Sequence, residues 1–142
     1  MKRVVVDASV AVKWFLSEDH SREALLLLES AYERIAPEFI AIEVASVLRK
    51  RFLAKKITNA DGEQTLVDLL RLVGTKYTAH LVPRAFQMAI THGCSAYDAL
   101  YVALAVDEGC QLVTADRRLY NALAPHLPET MLWIEDVPEP TG

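Results

Sequence analysis

Residues 3–9 read Arg3-Val4-Val5-Val6-Asp7-Ala8-Ser9, and the reading of this stretch decides the fold. Three consecutive valines carry stiff, branched side chains that suit an extended chain buried on both faces. Asp7 then offers a side-chain acceptor to a following helix, and Ala8 to Leu16 reads as that helix. A buried strand passing straight into a helix opens a parallel α/β unit.

The same alternation recurs downstream. Ser21 to Arg34 reads as a leucine-rich helix with Ser21 as its cap, and Arg34 to Ala36 as a very short second strand. Glu38 to Lys55 and Asn59 to Val73, the latter capped by Asn59, read as amphipathic helices. Thr75 to Leu81 alternates like a strand. Pro83 to His92 has proline at its start and Gly93 past its end, the helical asymmetry. Ala96 to Glu108 is an apolar helix closed by Gly109. Gln111 to Thr114 is a strand, Asp116 to Ala124 a helix and Met131 to Ile134 a last strand. The expected class is α/β, a parallel sheet covered on both faces. One domain is expected over residues 1–135, with 136–142 a frayed tail holding prolines and acids.

Composition narrows the function. The 142 residues are 52% hydrophobic and 24% charged, enough apolar surface for one core without disulfides. The longest unbroken apolar run, Ala99 to Val106, is too short to span a membrane. The apolar stretch near the N-terminus is too short and too charged for a secretory signal. Net charge is −4. Bulk charge therefore does not grip nucleic acid; if the chain handles nucleic acid, local charge must do so or metal ions must reverse the sign of a site. Cys94 and Cys110 give no zinc pattern and read as buried free thiols of a reducing cytoplasm.

In a parallel sheet the ligand site lies beyond the carboxyl ends of the strands. Asp7 stands after the first strand and Asp116 after Val113-Thr114-Ala115; each can be a plain helix cap. Asp98 sits in Ser95-Ala96-Tyr97-Asp98, which resembles a capping box, yet it opens a helix apolar nearly all round. Glu43 falls on or beside the apolar face of its helix, where Lys50 can reach back to neutralise it. Singly these acids are weak signals. Together they form a carboxylate set whose mutual repulsion a hard cation relieves. Oxygen donors without His or Cys suit Mg²⁺ or Mn²⁺. Ions so held support phosphodiester hydrolysis by lowering the pKa of a bound water and neutralising phosphate charge.

Val4-Val5-Val6-Asp7-Ala8-Ser9 with Lys13-Trp14-Phe15, Glu43-Val44 with Val47-Leu48, the block Tyr97 to Ala105, and Val113-Thr114-Ala115-Asp116 together resemble the PIN domain. More closely, they resemble the VapC-type ribonuclease toxins of prokaryotic toxin–antitoxin pairs. The resemblance runs from Val4 to about Tyr120. It implies a three-layer α/β/α sandwich and a Mg²⁺ or Mn²⁺ site formed by Asp7, Glu43, Asp98 and Asp116. Asp7 and Asp98 are then the direct ligands, and the other two complete the site, often through water. Ser9 and Thr114 match hydroxyl positions that orient carboxylates or water. The resemblance further implies a cytoplasmic endoribonuclease, a homodimer, and a small antitoxin that fills the groove with apolar and basic side chains.

Other assignments compete. Arg117 and Arg118 can meet an RNA backbone or be solvated helix charge, and Trp14 can stack a base or belong to the core. A phosphotransfer receiver wants adjacent acids near the first strand and a late lysine. A haloacid-dehalogenase-type phosphatase wants Asp-x-Asp where this chain has Asp7-Ala8-Ser9. A PIN-fold module that binds RNA or protein without catalysis stays open. No glycine-rich phosphate loop, His-Glu-x-x-His motif or serine elbow is present.

Overall fold

The structure is a computed structural model and describes residues 1–139. Five strands form one sheet in the order β3-β2-β1-β4-β5, and every neighbouring pair is parallel. β1 (Lys2–Val6) runs down the middle, with its three valines fully buried. β2 (Tyr32–Pro37) and β3 (Gly74–Lys76) lie to one side of it, β4 (Gln111–Thr114) and β5 (Met131–Trp133) to the other. Helices cover both faces, giving the expected three-layer α/β/α sandwich. The direction of winding reverses between β1 and β4, and such a switch point opens a crevice at the carboxyl ends of the strands.

Seven α-helices join the strands: α1 (Ala8–Ala11), α2 (Ser21–Leu26), α3 (Ile40–Leu53), α4 (Asn59–Leu72), α5 (Val82–His92), α6 (Ala96–Glu108) and α7 (Arg117–Leu123). α6 is the central one. It packs against β1, β2, β4 and α5, and its residues Ala99 to Ala105 are all buried. That explains a helix with almost no polar face. It ends at Gly109, whose φ of 64° is left-handed.

The elements differ from the sequence reading at their ends. α2 stops at Leu26 rather than Arg34, because Tyr32 to Ile35 pair with Lys2 to Val5 and are drawn into the sheet. Ser21 does not cap it. His20 occupies the cap position with φ 66°, while Ser21 Oγ accepts from the Glu18 amide and donates to the Leu16 carbonyl. The cap of α4 is Thr58, one residue before Asn59, in a reciprocal capping box with Asp61. β3 ends at Lys76 because its partner β2 ends at Pro37, and Ala79–Leu81 is a 3₁₀ turn instead of more strand. The helix expected to reach Leu16 is one α-turn followed by a 3₁₀ turn, Val12–Trp14. In the segment read as a frayed tail, Val137 is buried and Arg22 pairs with Glu139; residues 140–142 lie outside the described residues.

Arg34, on β2, ties three segments together. Its guanidinium donates to the carbonyls of Leu27 and Leu72, both at 2.8 Å, and of Tyr32 at 3.3 Å. Arg34→Met keeps the aliphatic stem and strands these carbonyls. It is expected to lower unfolding free energy by roughly 2–4 kcal/mol in urea denaturation; a change within experimental error refutes this reading.

Candidate active site

The switch point presents a cavity of about 230 Å³ lined by Asp7, Ala8, Ser9, Val12, Glu43, Val47, Asp98, Tyr101 and Asp116. The fold thus gathers all four acids picked out in the sequence, from four places in the chain. β1 and β4 run in register as Val6 opposite Val113, so Asp7, just past β1, comes out beside Thr114, the last residue of β4. Glu43 comes from the first turn of α3 and Asp98 from the first turn of α6.

Two of the acids are also caps. Asp7 Oδ1 accepts from the Val10 amide at 3.2 Å and opens α1. Asp116 Oδ1 accepts from the amides of Arg118 and Leu119 at 3.0 and 3.2 Å and opens α7. In each case the capping bonds fall on Oδ1, leaving Oδ2 outside the cap. Asp98 is only half of a capping box. Its amide donates to Ser95 Oγ at 3.0 Å, and its carboxylate lines the cavity.

Ser9 joins the two strand ends. Its hydroxyl donates to Asp7 Oδ1 at 2.5 Å and accepts from the Ala115 amide at 3.0 Å. Thr114 is fully buried, and its hydroxyl accepts from the Asp116 amide at 3.0 Å. Both hydroxyls lie against the acids.

Burial dominates the electrostatics. It pushes Asp7 up to about 6, against the opposing pull of the Ser9 and Thr114 hydroxyls and the Val10 amide, while the charge of Asp98 adds a further rise. Burial also raises Glu43, with Tyr101 opposing and Asp98 adding. Asp98 is raised by burial and by the charge of Asp116, with Ser95 opposing. The Tyr101 hydroxyl is pushed far up by burial and by Glu43 and Asp7, so it keeps its proton. It lies close enough to Glu43 to oppose the rise of that carboxyl, and close to the Ala8 amide, yet its geometry makes a hydrogen bond with neither. Glu43 Oε1 and the Tyr101 hydroxyl are therefore both buried without a partner. Lys50 is exposed and forms no ion pair with Glu43 among the described residues, so the neutralising pair open in the sequence is not made.

Among the described residues, no three His, Cys, Asp or Glu side chains stand close enough to form a ready-made cation cluster. The donors nevertheless fit a hard divalent ion: four carboxylates, no sulfur or imidazole, and one buried carboxylate oxygen that nothing satisfies. Tyr101 is the lining residue that the sequence reading passed over. Its signal is a phenol three residues beyond Asp98 in a helix otherwise almost wholly apolar, hence on the same face.

The neighbouring cations divide sharply. Arg117 lies over the Trp133 ring at 3.7 Å and near Glu135 at 3.9 Å. Arg118 makes no ion pair among the described residues. It lines a second cavity of about 410 Å³ that shares Asp98 with the first. Trp14 belongs to the protein interior, its ring nitrogen donating to the Ala24 carbonyl at 2.9 Å. Lys13 pairs with Glu18, which Arg51 also holds.

A carboxylate cavity at the switch point of a parallel α/β/α sheet defines a class, and comparison with known proteins gives its family. The PIN-domain family model matches residues 4–123. VapC ribonuclease Mb0985 of Mycobacterium bovis is 37% identical over 131 residues, covering 91% of this chain and 98% of its own. Ribonuclease VapC3 of Pyrobaculum aerophilum is 32% identical over 120 residues, covering 82% and 92%. The crystal structure of PAE2754 from the same organism superposes with a TM-score of 0.71 at 20% identity, covering 94% of this chain and 92% of that one. The chain belongs to the PIN-domain family, among its VapC ribonucleases.

The raised acids carry a sign. Between 3.8, the ordinary value for Asp, and about 6, folded Asp7 holds a proton that the unfolded chain has released. Raising pH through that window therefore removes stability, on the order of 3 kcal/mol from Asp7. Asp7→Asn keeps an acceptor for the cap and removes the charge. In EDTA near neutral pH it is expected to be more stable than the parent, with a flatter pH dependence by urea denaturation. An equal or lower stability at neutral pH contradicts this account.

Proposed function

We propose that this chain is a metal-dependent endoribonuclease, the toxin of a toxin–antitoxin pair, in which Asp7, Asp98, Asp116 and Glu43 hold Mg²⁺ or Mn²⁺. The observation that carries the reading is the convergence of four acids, one with an unsatisfied buried oxygen, on one cavity of a VapC-family fold. When bound, such a cation supplies Lewis acidity, activating the attacking water and neutralising charge on the phosphate. Asp7 and Asp98 are the direct ligands, with Asp116 and Glu43 completing the shell. Ser9 fixes the Asp7 carboxylate and spaces it from β4 through the Ala115 amide, and Thr114 steadies Asp116. Val12 and Val47 give the cavity an apolar wall that limits water. No histidine or lysine is among the lining residues, so no side chain there stands out as a general base.

The substrate in this reading is unpaired RNA. A chain of net charge −4 has no broad cationic surface for a duplex, while RNA loops offer splayed bases to a small groove. The partners are a small antitoxin and a second copy of the chain. The cavity's acids and valines suit an antitoxin tail of basic and apolar side chains. Val82, Phe86 and Ile90, exposed at four-residue spacing on α5, support a self-association face. Residues 1–135 act as a single PIN-like domain, and the two free cysteines suit the cytoplasm.

Antitoxin-free protein is expected to cleave a panel of labelled single-stranded RNAs with Mg²⁺ or Mn²⁺ and not with EDTA. Asp7→Asn and Asp98→Asn are each expected to reduce the rate at least about a hundredfold. Cleavage that survives both substitutions moves the site elsewhere. Metal binding by an intact fold without cleavage of any RNA makes the chain a silent binding module, and equal cleavage of long duplex DNA overturns the substrate.

Arg118, unpaired beside Asp98, is the cation placed to meet the RNA backbone. In the Asp7→Asn background, Arg118→Met is expected to weaken binding of a short labelled RNA several-fold. It should also lower the slope of log affinity against log salt by about 0.7. Arg117→Met, with its guanidinium already engaged by Trp133, leaves the slope unchanged. A reversed pattern assigns the contact to Arg117.

A further inference from the structure

Among the described residues, two buried side-chain polar atoms lack a hydrogen-bond partner, and both line the candidate active site: Glu43 Oε1 and the Tyr101 hydroxyl. Protein interiors hold few such atoms, and each needs a reason. Packing does not supply one. Tyr101 is 1% exposed, and its ring stands edge-on to Phe39 with centroids 5.3 Å apart at 78°. Phenylalanine fills the same space, keeps that aromatic contact and brings no orphaned hydroxyl.

The two helices aim the hydroxyl. Phe39 is the residue before α3 and Glu43 lies four residues on, so both sit on one face, a turn apart. Asp98 and Tyr101 are three residues apart on α6 and share a face in the same way. A ring pinned against Phe39 carries its hydroxyl toward the next turn of α3, where Glu43 stands. One group needs an acceptor and the other a donor, yet in the structure the bond between them is not made. A carboxylate that turns one oxygen toward a cation also turns its second.

We propose that Tyr101 is a positioning residue for the metal site: its hydroxyl donates to Glu43 when that carboxylate engages a divalent cation, and so fixes its orientation. The inference rests on the metal-site reading above. It makes the hydroxyl useless to the fold alone and useful to the loaded site, and the two can be measured separately.

The full-length Tyr101→Phe variant is to be melted in EDTA and across a Mn²⁺ titration, beside the parent. In EDTA its melting temperature is expected to equal or exceed the parent's. The Mn²⁺ concentration giving half the thermal shift is expected to rise about tenfold, the scale of losing a group that orients a metal ligand. RNA cleavage falls in kcat with KM unchanged. Phe39→Leu retains the hydroxyl but frees the ring, and it too weakens the Mn²⁺ response. Parental Mn²⁺ affinity in Tyr101→Phe overturns the inference while leaving the metal site standing. A variant that melts well below the parent in EDTA also overturns it, because the hydroxyl then serves the fold. A parent that shows no response to Mn²⁺ overturns the metal site and this inference together.

Discussion

All five strands run the same way, so every segment that follows a strand starts from the same edge of the sheet. That constraint arranges the rest. Helices beginning at one edge place their N-termini there, with unpaired amides and partial positive charge. Acidic caps are the natural answer, so carboxylates gather on that edge as a consequence of folding. The reversal of winding between β1 and β4 then parts the helices and leaves those carboxylates around a cavity rather than under a packed layer.

A cap and a ligand are often treated as rival accounts of one aspartate. At Asp7 and Asp116 the cap engages one oxygen, so it would leave the other for the proposed ligand role. Folding holds Oδ1 and so holds the whole group, leaving Oδ2 in a fixed place. The arrangement has an electrostatic cost. Asp7 is 5% exposed, and the charge of Asp98, another acid of the cavity, raises it further. The Ser9 and Thr114 hydroxyls reduce the penalty without abolishing it, and a fully neutralised Asp7 would have no remaining demand for a cation. The fold therefore keeps the site short of electrostatic balance, and the proposed divalent ion would gain its affinity there.

The residues that converge on the candidate site were more legible in the sequence than the ends of the elements, for a physical reason. The valines of β1, the apolar run of α6 and the acids after strands are local patterns, and each acid is fixed by a cap or first-turn position a few residues away. Element ends depend on partners. Leucine periodicity continues past Leu26, but β1 needs a neighbour and takes Tyr32 to Ile35 from the expected helix. β3 is short because β2 stops at Pro37, which nothing in residues 75–81 announces. The fate of the cations was likewise non-local. Arg117 and Arg118 look equivalent in the chain, and only the placement of Trp133 and Glu135 sets them apart. Tyr101 escaped notice because an aromatic residue in an apolar helix is ordinarily core; its distinction lies in where the hydroxyl ends, a property of α3 as much as of α6.

An acidic protein with an acidic cavity is a poor receptor for a polyanion, and this bears on how the proposed activity is controlled. Without a cation, the four carboxylates repel a phosphate from the place where it must lie. With one, the local sign within the cavity would be reversed. Binding of the scissile phosphate and activation of the attacking water then depend on the same ion, so affinity and chemistry rise together instead of being tuned separately. Arg118, at the margin shared with Asp98, adds a fixed positive charge beside the reversible one. In the proposed reading, Arg118 would draw RNA toward the edge of the site, and a cation held by the acids would let the phosphate approach its centre. If the proposed antitoxin places a basic side chain in the cavity, it would compete with the cation by satisfying the same carboxylates.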